Sequence, residues 1–101
     1  MANTAKALFR GAATTTTTTL LYTVPASTTT VITNIAVTNT SSTAYTFTIS
    51  LDDVAIHTAT TINGNSTVYI DSKQVLATTK TIKGGASNIA VNFHISGMEI
   101  A

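Results

Sequence analysis

The sequence predicts an all-β domain, built as an antiparallel β-sandwich of about seven short strands. From residue 20 onward apolar and polar residues alternate with period two, and the apolar positions are rich in β-branched and aromatic side chains. Turn-forming residues recur roughly every ten positions, and no segment carries the apolar spacing of an amphipathic helix. A jelly roll and an immunoglobulin-like Greek key both fit this pattern.

Residues 1–19 are predicted to be an extended N-terminal arm, and residues 20–101 the sandwich domain. The arm ends in six consecutive threonines at positions 14–19, a β-branched run that disfavours helix and favours an extended chain. Two interpretations of the arm are open: a flexible linker behind a disordered segment, or a segment that becomes ordered only against another subunit. The residues that would anchor the arm in the second interpretation are Lys6, Leu8, Phe9 and Arg10.

Two segments show the alternation most clearly and are predicted to be strands with one face in the core. Their inward residues are Tyr45, Phe47, Ile49 and Leu51 in the first, and Ile89, Val91, Phe93 and Ile95 in the second. The other strands are predicted at residues 19–24, 30–39, 54–59, 66–71 and 79–83. Residues 71–78 break the alternation and are predicted to be a connection.

Turn chemistry indicates where these strands end. Asp52 and Asp53 fit a two-residue hairpin, because Asp tolerates the left-handed backbone conformation better than most residues. The glycine-rich residues 84–87 predict another turn before the last strand. Near the end of that strand the inward apolar set moves from Ile95 to Met98, which predicts a bulge between them.

Charge is scarce along the whole chain and absent from residues 11–51, which contain no Asp, Glu, Lys, Arg or His. Only 9% of the residues are charged, against about 25% in an ordinary soluble domain. Uncharged faces suit permanent interfaces, because they are cheaper to desolvate than charges. We therefore expect strand faces within residues 28–48 to pack subunit against subunit, with Thr38 and Thr46 as the positions that test it.

Several classes of partner are not expected. The five basic and four acidic residues are scattered, with a formal net charge of +1, so no basic face for nucleic acid is predicted. No apolar run approaches the roughly 20 residues that span a bilayer, and no membrane contact is expected. The first residues lack the apolar core of a secretory signal peptide, so we expect a protein that is made in the cytoplasm without a signal peptide.

Few residues are candidates for chemistry. His57 and His94 have no clustered carboxylate or cysteine nearby in the sequence, and we interpret them as surface or interface residues rather than bases or metal ligands. The adjacent Asp52 and Asp53 invite a calcium site, yet calcium takes about six to eight oxygen ligands and this turn offers two side chains. The sequence thus predicts no catalytic residue, no metal site, no cofactor and no enzymatic activity.

Three segments carry a resemblance to a known group of proteins. Residues 21–26 (LYTVPA) with 28–40 (TTTVITNIAVTNT) resemble the opening hairpin of small β-sandwich structural proteins of tailed bacteriophages, and residues 91–100 (VNFHISGMEI) resemble the end of the same type. The three segments lie near the two ends of residues 20–100 and comprise 29 residues. It rests on packing and turn patterns and brings no active-site residues with it.

The resemblance implies a virion component, and two function classes follow. The first is a capsid decoration (cement) protein that binds the major capsid protein on the exterior of the head, often as a homotrimer, and stabilises the shell. The second is a neck, tail or fibre subunit, or an adhesin domain that recognises a host surface. Short loops of Ser, Thr, Asn and Gly favour the first class, because an adhesin is expected to expose aromatic or charged anchors on its loops.

Overall fold

The computed structural model describes residues 3–71 and 73–101, and these form two antiparallel sheets packed together. The predicted all-β sandwich is confirmed. Within the described residues there are nine strands, where the sequence predicted about seven. They are β1 (Asn3–Ala12), β2 (Leu20–Thr23), β3 (Thr29–Asn39), β4 (Tyr45–Leu51), β5 (Val54–Ile62), β6 (Ser66–Ile70), β7 (Gln74–Leu76), β8 (Thr81–Ala86) and β9 (Val91–Ile100).

The strand order is that of a jelly roll. The five-stranded sheet has the order β1-β9-β3-β6, with β7 also paired to β3, and the four-stranded sheet has the order β2-β8-β4-β5. The pairs are nested along the chain: β1 with β9, β2 with β8, β3 with β6 and β7, and β4 with β5. The chain is therefore one long two-stranded ribbon rolled over on itself, the first of the two predicted topologies.

The tip of this ribbon is the turn between β4 and β5. Asp52 and Asp53 have φ angles of 53° and 59°, and Leu51 pairs with Val54 across them. Both aspartates are thus in the left-handed region that a two-residue hairpin of this hand requires. The hairpin prediction is confirmed.

The N-terminal arm is a strand of the sandwich from Asn3 onward, and the prediction that it is ordered only against another subunit is wrong. β1 pairs antiparallel with β9 along its whole length, from Asn3 opposite Ile100 to Ala12 opposite Asn92. A bulge at Leu8 breaks the register between Ala7 and Phe9. The bulge turns Leu8 into the core, where it is 7% exposed, so β1 is held by apolar burial within its own chain.

The threonine run is a loop that crosses between the sheets rather than an extended tail. Its ends are bound to β8, since the amide of Ala86 donates to the carbonyl of Thr14 (2.9 Å) and the amide of Gly84 to that of Thr19 (3.0 Å). Inside the loop the Thr14 hydroxyl donates to the carbonyl of Thr16 (3.1 Å), and the Thr19 hydroxyl donates to the same carbonyl (2.9 Å). Threonine hydroxyls thus provide hydrogen bonds to the backbone of a turn that contains no glycine or proline.

The bulge predicted within β9 lies instead on its two neighbours. The register shifts at Leu8 in β1, opposite Ile95 and Ser96, and at Thr33 in β3, opposite Ser96 and Gly97. β9 keeps its alternation, and Gly97 takes the inward position. A Cβ there would lie 2.4 Å from the carbonyl oxygen of Val31, so only glycine lets the bulged neighbours approach this closely.

The glycine pair predicted as a turn belongs to a central strand, β8. Gly84 and Gly85 are buried, and a Cβ on Gly85 would lie 2.3 Å from the carbonyl oxygen of Thr16. The pair therefore marks the place where the threonine loop passes directly over the sheet. The turn that follows contains Ile89, which is 67% exposed, so its prediction as a core residue is wrong.

The core lies between the sheets, and its inward residues come from all of the long strands. Phe47 of the four-stranded sheet and Phe93 of the five-stranded sheet meet edge to face, with ring centroids 6.4 Å apart. Asn39 is fully buried, and its side chain is satisfied by the carbonyls of Thr43 (2.8 Å) and Ile62 (3.2 Å) and by the amide of Ser41 (3.0 Å). The Asn39 side chain thus joins the loop between β3 and β4 to the end of β5.

Candidate interaction surfaces

The outward side of the five-stranded sheet, which we call the five-stranded face, carries a row of apolar side chains. Met98 of β9 pairs with Ala5 of β1 and with Val31 of β3, and Val31 pairs in turn with Val75 of β7. Val75 is 68% exposed. Residues directly opposite each other on one side of a sheet are in contact, so the row is a continuous apolar stripe across four strands.

A second row on the five-stranded face combines a charge with aromatic and small residues. His94 pairs with Arg10 on one side and with Ala36 on the other, and Ala36 pairs with Tyr69. Arg10 is exposed, and Tyr69 is 72% exposed. The next row adds Thr38, whose hydroxyl lies 3.0 Å from that of Thr67.

The formal charges elsewhere are paired within the chain. Four lysine–carboxylate pairs occur in the described residues: Lys6 with Glu99 (3.5 Å), Lys73 with Asp71 (2.6 Å), Lys80 with Asp52 (3.5 Å) and Lys83 with Asp53 (2.7 Å). The chain has five basic and four acidic residues, so these pairs use every carboxylate side chain and every lysine. Arg10 is the basic residue outside them.

Tyr22 joins the two sheets at one end of the sandwich. Its phenol donates a hydrogen bond to Oε2 of Glu99 on the opposite sheet, and the hydroxyl of Thr30 lies 2.8 Å from the phenol oxygen. Burial, reinforced by the hydrogen bond to Glu99, raises the pKa of Tyr22 to about 12. Lys6 completes this polar cluster through its ion pair with Glu99, which is only 15% exposed.

The outward side of the four-stranded sheet, the four-stranded face, is lined mainly by hydroxyls and glycine. Thr46 pairs with Thr61, and Thr48 pairs with Gly85, over which the threonine loop passes. Leu20 is 55% exposed at the edge and pairs with Lys83, whose ammonium is bound to Asp53. This face is thus partly covered by the chain itself, and its charges are satisfied.

The six residues predicted to make contacts are spread over four environments. Leu8 and Phe9 pack in the core, and Lys6 is bound to Glu99. Arg10 and Thr38 lie on the five-stranded face in adjacent rows, whereas Thr46 lies on the four-stranded face. The structure therefore brings two of the six together, and it places the arm residues in three different surroundings because the Leu8 bulge reverses the alternation of β1.

The five-stranded face also contains residues that the sequence reasoning did not single out. Val31 and Val75 lie in a predicted strand and a predicted connection that have no assigned role. The prediction that Met98 points inward is wrong, because β9 keeps its alternation and Gly97 takes the inward position. Met98 and Tyr69 are apolar residues on the polar phase of their strands, a signal that periodicity shows. Val31 has the phase of Ile35 and Val37, and only the register shift at Thr33 turns it outward. The stripe itself depends on register between distant strands, so no local pattern reveals it.

The residues weighed for chemistry are far apart in the fold. His57 lies on β5, with Nδ1 3.1 Å from the hydroxyl of Thr60 and its ring against Phe47, whereas His94 lies on the opposite sheet. No group of three His, Asp or Glu side chains in residues 3–71 and 73–101 is close enough to hold a metal ion. A shallow cavity of about 240 Å³ lies near the ribbon tip, lined by Leu51, Val54, Ala55, Ile56 and Gln74.

Comparison of the chain with protein-family models, with curated proteins and with solved structures finds no match. In the part of the chain that the structure describes, no helix is long and apolar enough to cross a membrane.

Proposed function

We propose that this protein is a structural component of a bacteriophage virion that decorates the exterior of the capsid and stabilises the shell. The observation that carries the proposal is the five-stranded face, where Val75 and Tyr69 are 68% and 72% exposed beside Met98 and Val31. Exposed apolar residues that form a continuous patch are typical of surfaces that bind protein. The resemblance of residues 21–40 and 91–100 to phage β-sandwich proteins supports the choice of partner.

The partner in this proposal is the major capsid protein, and the decorating unit is a homotrimer that touches neither nucleic acid nor membrane. A decoration protein needs only modest affinity for each site, because attachment at many equivalent sites on a lattice increases the overall avidity. The proposed role is not enzymatic. The position of the two histidines on opposite sheets supports this part of the proposal.

A neck, tail or fibre subunit that recognises a host surface is the second candidate. Tyr69 favours it, because an exposed aromatic ring beside polar groups is a common anchor for ligands. Tyr69 lies on a strand of a flat face rather than on a loop, and a flat face suits contact with another protein surface. For this reason the capsid exterior is the preferred location.

Location and copy number in purified particles test the proposal. Quantitative mass spectrometry of intact virions, combined with cryo-EM of the same particles, is expected to find hundreds of copies on the outside of the head. A handful of copies at the neck or tail would overturn the decoration role and favour the second candidate. Density for trimers on the head, checked by native mass spectrometry of the free protein, would support the oligomeric state.

A further inference from the structure

Arg10 is the starting point, because its charge is unmatched in the described residues and lies on the same face as the apolar stripe. Within residues 3–71 and 73–101 each lysine has a carboxylate within 3.5 Å, and Arg10 has none within salt-bridge distance. Its strand position directs it out of the five-stranded face beside His94. The net charge of +1 therefore corresponds to a single exposed guanidinium.

Any protein that covers the apolar stripe also covers the row that contains Arg10. The two rows are four residues apart along β9, from His94 to Met98, which is about 13 Å in a strand. Removing an ionised group from water without a partner costs several kcal/mol, which the burial of Met98, Val31 and Val75 would have to offset. A carboxylate on the partner removes this cost, since it binds a guanidinium in a two-pronged, charge-assisted contact.

A second copy of the same face does not supply that carboxylate. The strand residues that point out of the face are uncharged apart from Arg10 and the titratable His94. Glu99 is turned toward the interior, and Asp71, in the connection at the edge of the face, is bound to Lys73 at 2.6 Å. Packing of two copies face to face would thus bury arginine without an opposite charge.

We propose that the five-stranded face is the docking surface for a different protein whose own surface carries an exposed carboxylate within an apolar patch. The carboxylate pairs with Arg10, and the apolar patch covers the stripe of Ala5, Met98, Val31 and Val75. This inference rests on the proposed function, in which the partner is the capsid shell, and it assigns the face that meets the shell.

The size of the face fits an attachment that depends on many copies. Four strands, each about 4.8 Å wide, and eight residues of β9 at about 3.3 Å each give a flat area of about 500 Å². Stable one-to-one complexes bury about 800 Å² on each partner. A single docking contact of this size is weak, and attachment at repeated sites compensates for it.

Binding of purified variants to undecorated heads tests the inference. The probe is heads from a phage in which the gene for this chain is deleted, and sedimentation measures the bound fraction against protein concentration. Arg10→Glu is expected to weaken binding about tenfold or more, because it places two carboxylates together, and Arg10→Lys is expected to retain part of the affinity. Val75→Lys is expected to weaken binding by a similar factor.

Val54→Lys is the matched control for Val75→Lys. The two valines have the same exposure, 68%, but Val54 lies at the ribbon tip. It is expected to bind like the wild type. Thermal unfolding of each variant checks that the exposed substitutions leave the fold intact.

The outcomes separate the docking face from the proposed function. If the wild type does not bind heads, both are overturned. If the wild type binds and all variants bind equally well, the docking face is overturned and the decoration role stands. If the free protein self-associates in analytical ultracentrifugation and Arg10→Glu or Val75→Lys abolishes this association, the occupant is a second copy and the inference is wrong.

Discussion

The two outer faces of the sandwich are built from the same charge-poor sequence, yet they differ in the apolar residues and the unpaired charge that they expose. The four-stranded face is lined by threonine hydroxyls, is crossed by the loop of residues 14–19, and has its charge at Lys83 bound to Asp53. The five-stranded face leaves Val75 and Tyr69 exposed, and Arg10 has no carboxylate partner among residues 3–71 and 73–101. Low charge is common to both faces, whereas exposed apolar surface and an unmatched charge occur together on the five-stranded face, and on this difference the proposed docking surface rests.

The largest expected effect concerns β1, which supplies one edge of the five-stranded face. Leu8→Ala is expected to lower the free energy of unfolding by about 3 kcal/mol, because it removes buried methyl groups and leaves a cavity. Leu20→Ala is the matched control at an exposed leucine (55%) and should cost less than about 1 kcal/mol. Urea denaturation measures both.

Equally small decreases in the free energy of unfolding for Leu8→Ala and Leu20→Ala would show that β1 is not held by the core. Deletion of residues 1–13 is a less informative experiment. It removes an edge strand together with the core residues Leu8 and Ala13, so lost binding would not distinguish an anchor from a misfolded sheet.

The next effect concerns the loop that covers the four-stranded face. Gly85→Ala is expected to destabilise the protein by about 2 kcal/mol, since the added methyl group would lie 2.3 Å from the carbonyl oxygen of Thr16. In Gly11→Ala the methyl group would meet only the Phe9 ring, at 3.5 Å, an ordinary contact, and the stability should stay within about 0.5 kcal/mol. A neutral Gly85→Ala would mean that the threonine loop does not cover the sheet.

A pH-dependent effect is expected where Tyr22 joins the two sheets. The fold raises the pKa of Tyr22 from 10.0 to about 12, so the folded state holds the proton more tightly than the unfolded state. The contribution to stability is complete below about pH 10 and is lost as the pH rises from 10 to 12. Denaturation curves of the wild type and Tyr22→Phe across this range isolate the contribution of Tyr22, because all other groups are the same in the two proteins.

The expected signature is a wild-type stability that falls more steeply than that of Tyr22→Phe. Parallel pH profiles for the two proteins would contradict the interaction between the sheets. Thr30→Val offers a second check, since it removes one hydrogen-bonding neighbour of the phenol and leaves Glu99 in place.

The smallest effect on stability is expected from the two charges that distinguish the faces. Lys83→Gln breaks an exposed ion pair and should cost less than about 1 kcal/mol. Arg10→Gln breaks no pair and should change the stability by less than about 0.5 kcal/mol. A clear loss of stability in Arg10→Gln, measured by thermal denaturation, would show that Arg10 serves the fold rather than a partner.

Local patterns in the sequence were enough for the fold class and for much of the strand content. The alternation of Phe47 and Ile49 with threonines predicted β4 with its bounds, and Asp52-Asp53 predicted the ribbon tip, because both depend only on residues near each other in the chain. The low charge predicted contact surfaces on the strand faces, and that stays a prediction. Its meaning as contact surface was assigned to Thr38 and Thr46 without regard to which sheet each occupies.

The tertiary structure alone decided how distant segments meet. β1 and β9 are about 90 residues apart in sequence, as Lys6 and Glu99 illustrate. No local pattern predicts that they pair. Cross-strand register then placed Leu8 inside, and gathered Arg10, Val31, Val75 and Met98 on one face. Composition and periodicity determine which residues favour strands, whereas register between remote strands determines which of them water still reaches.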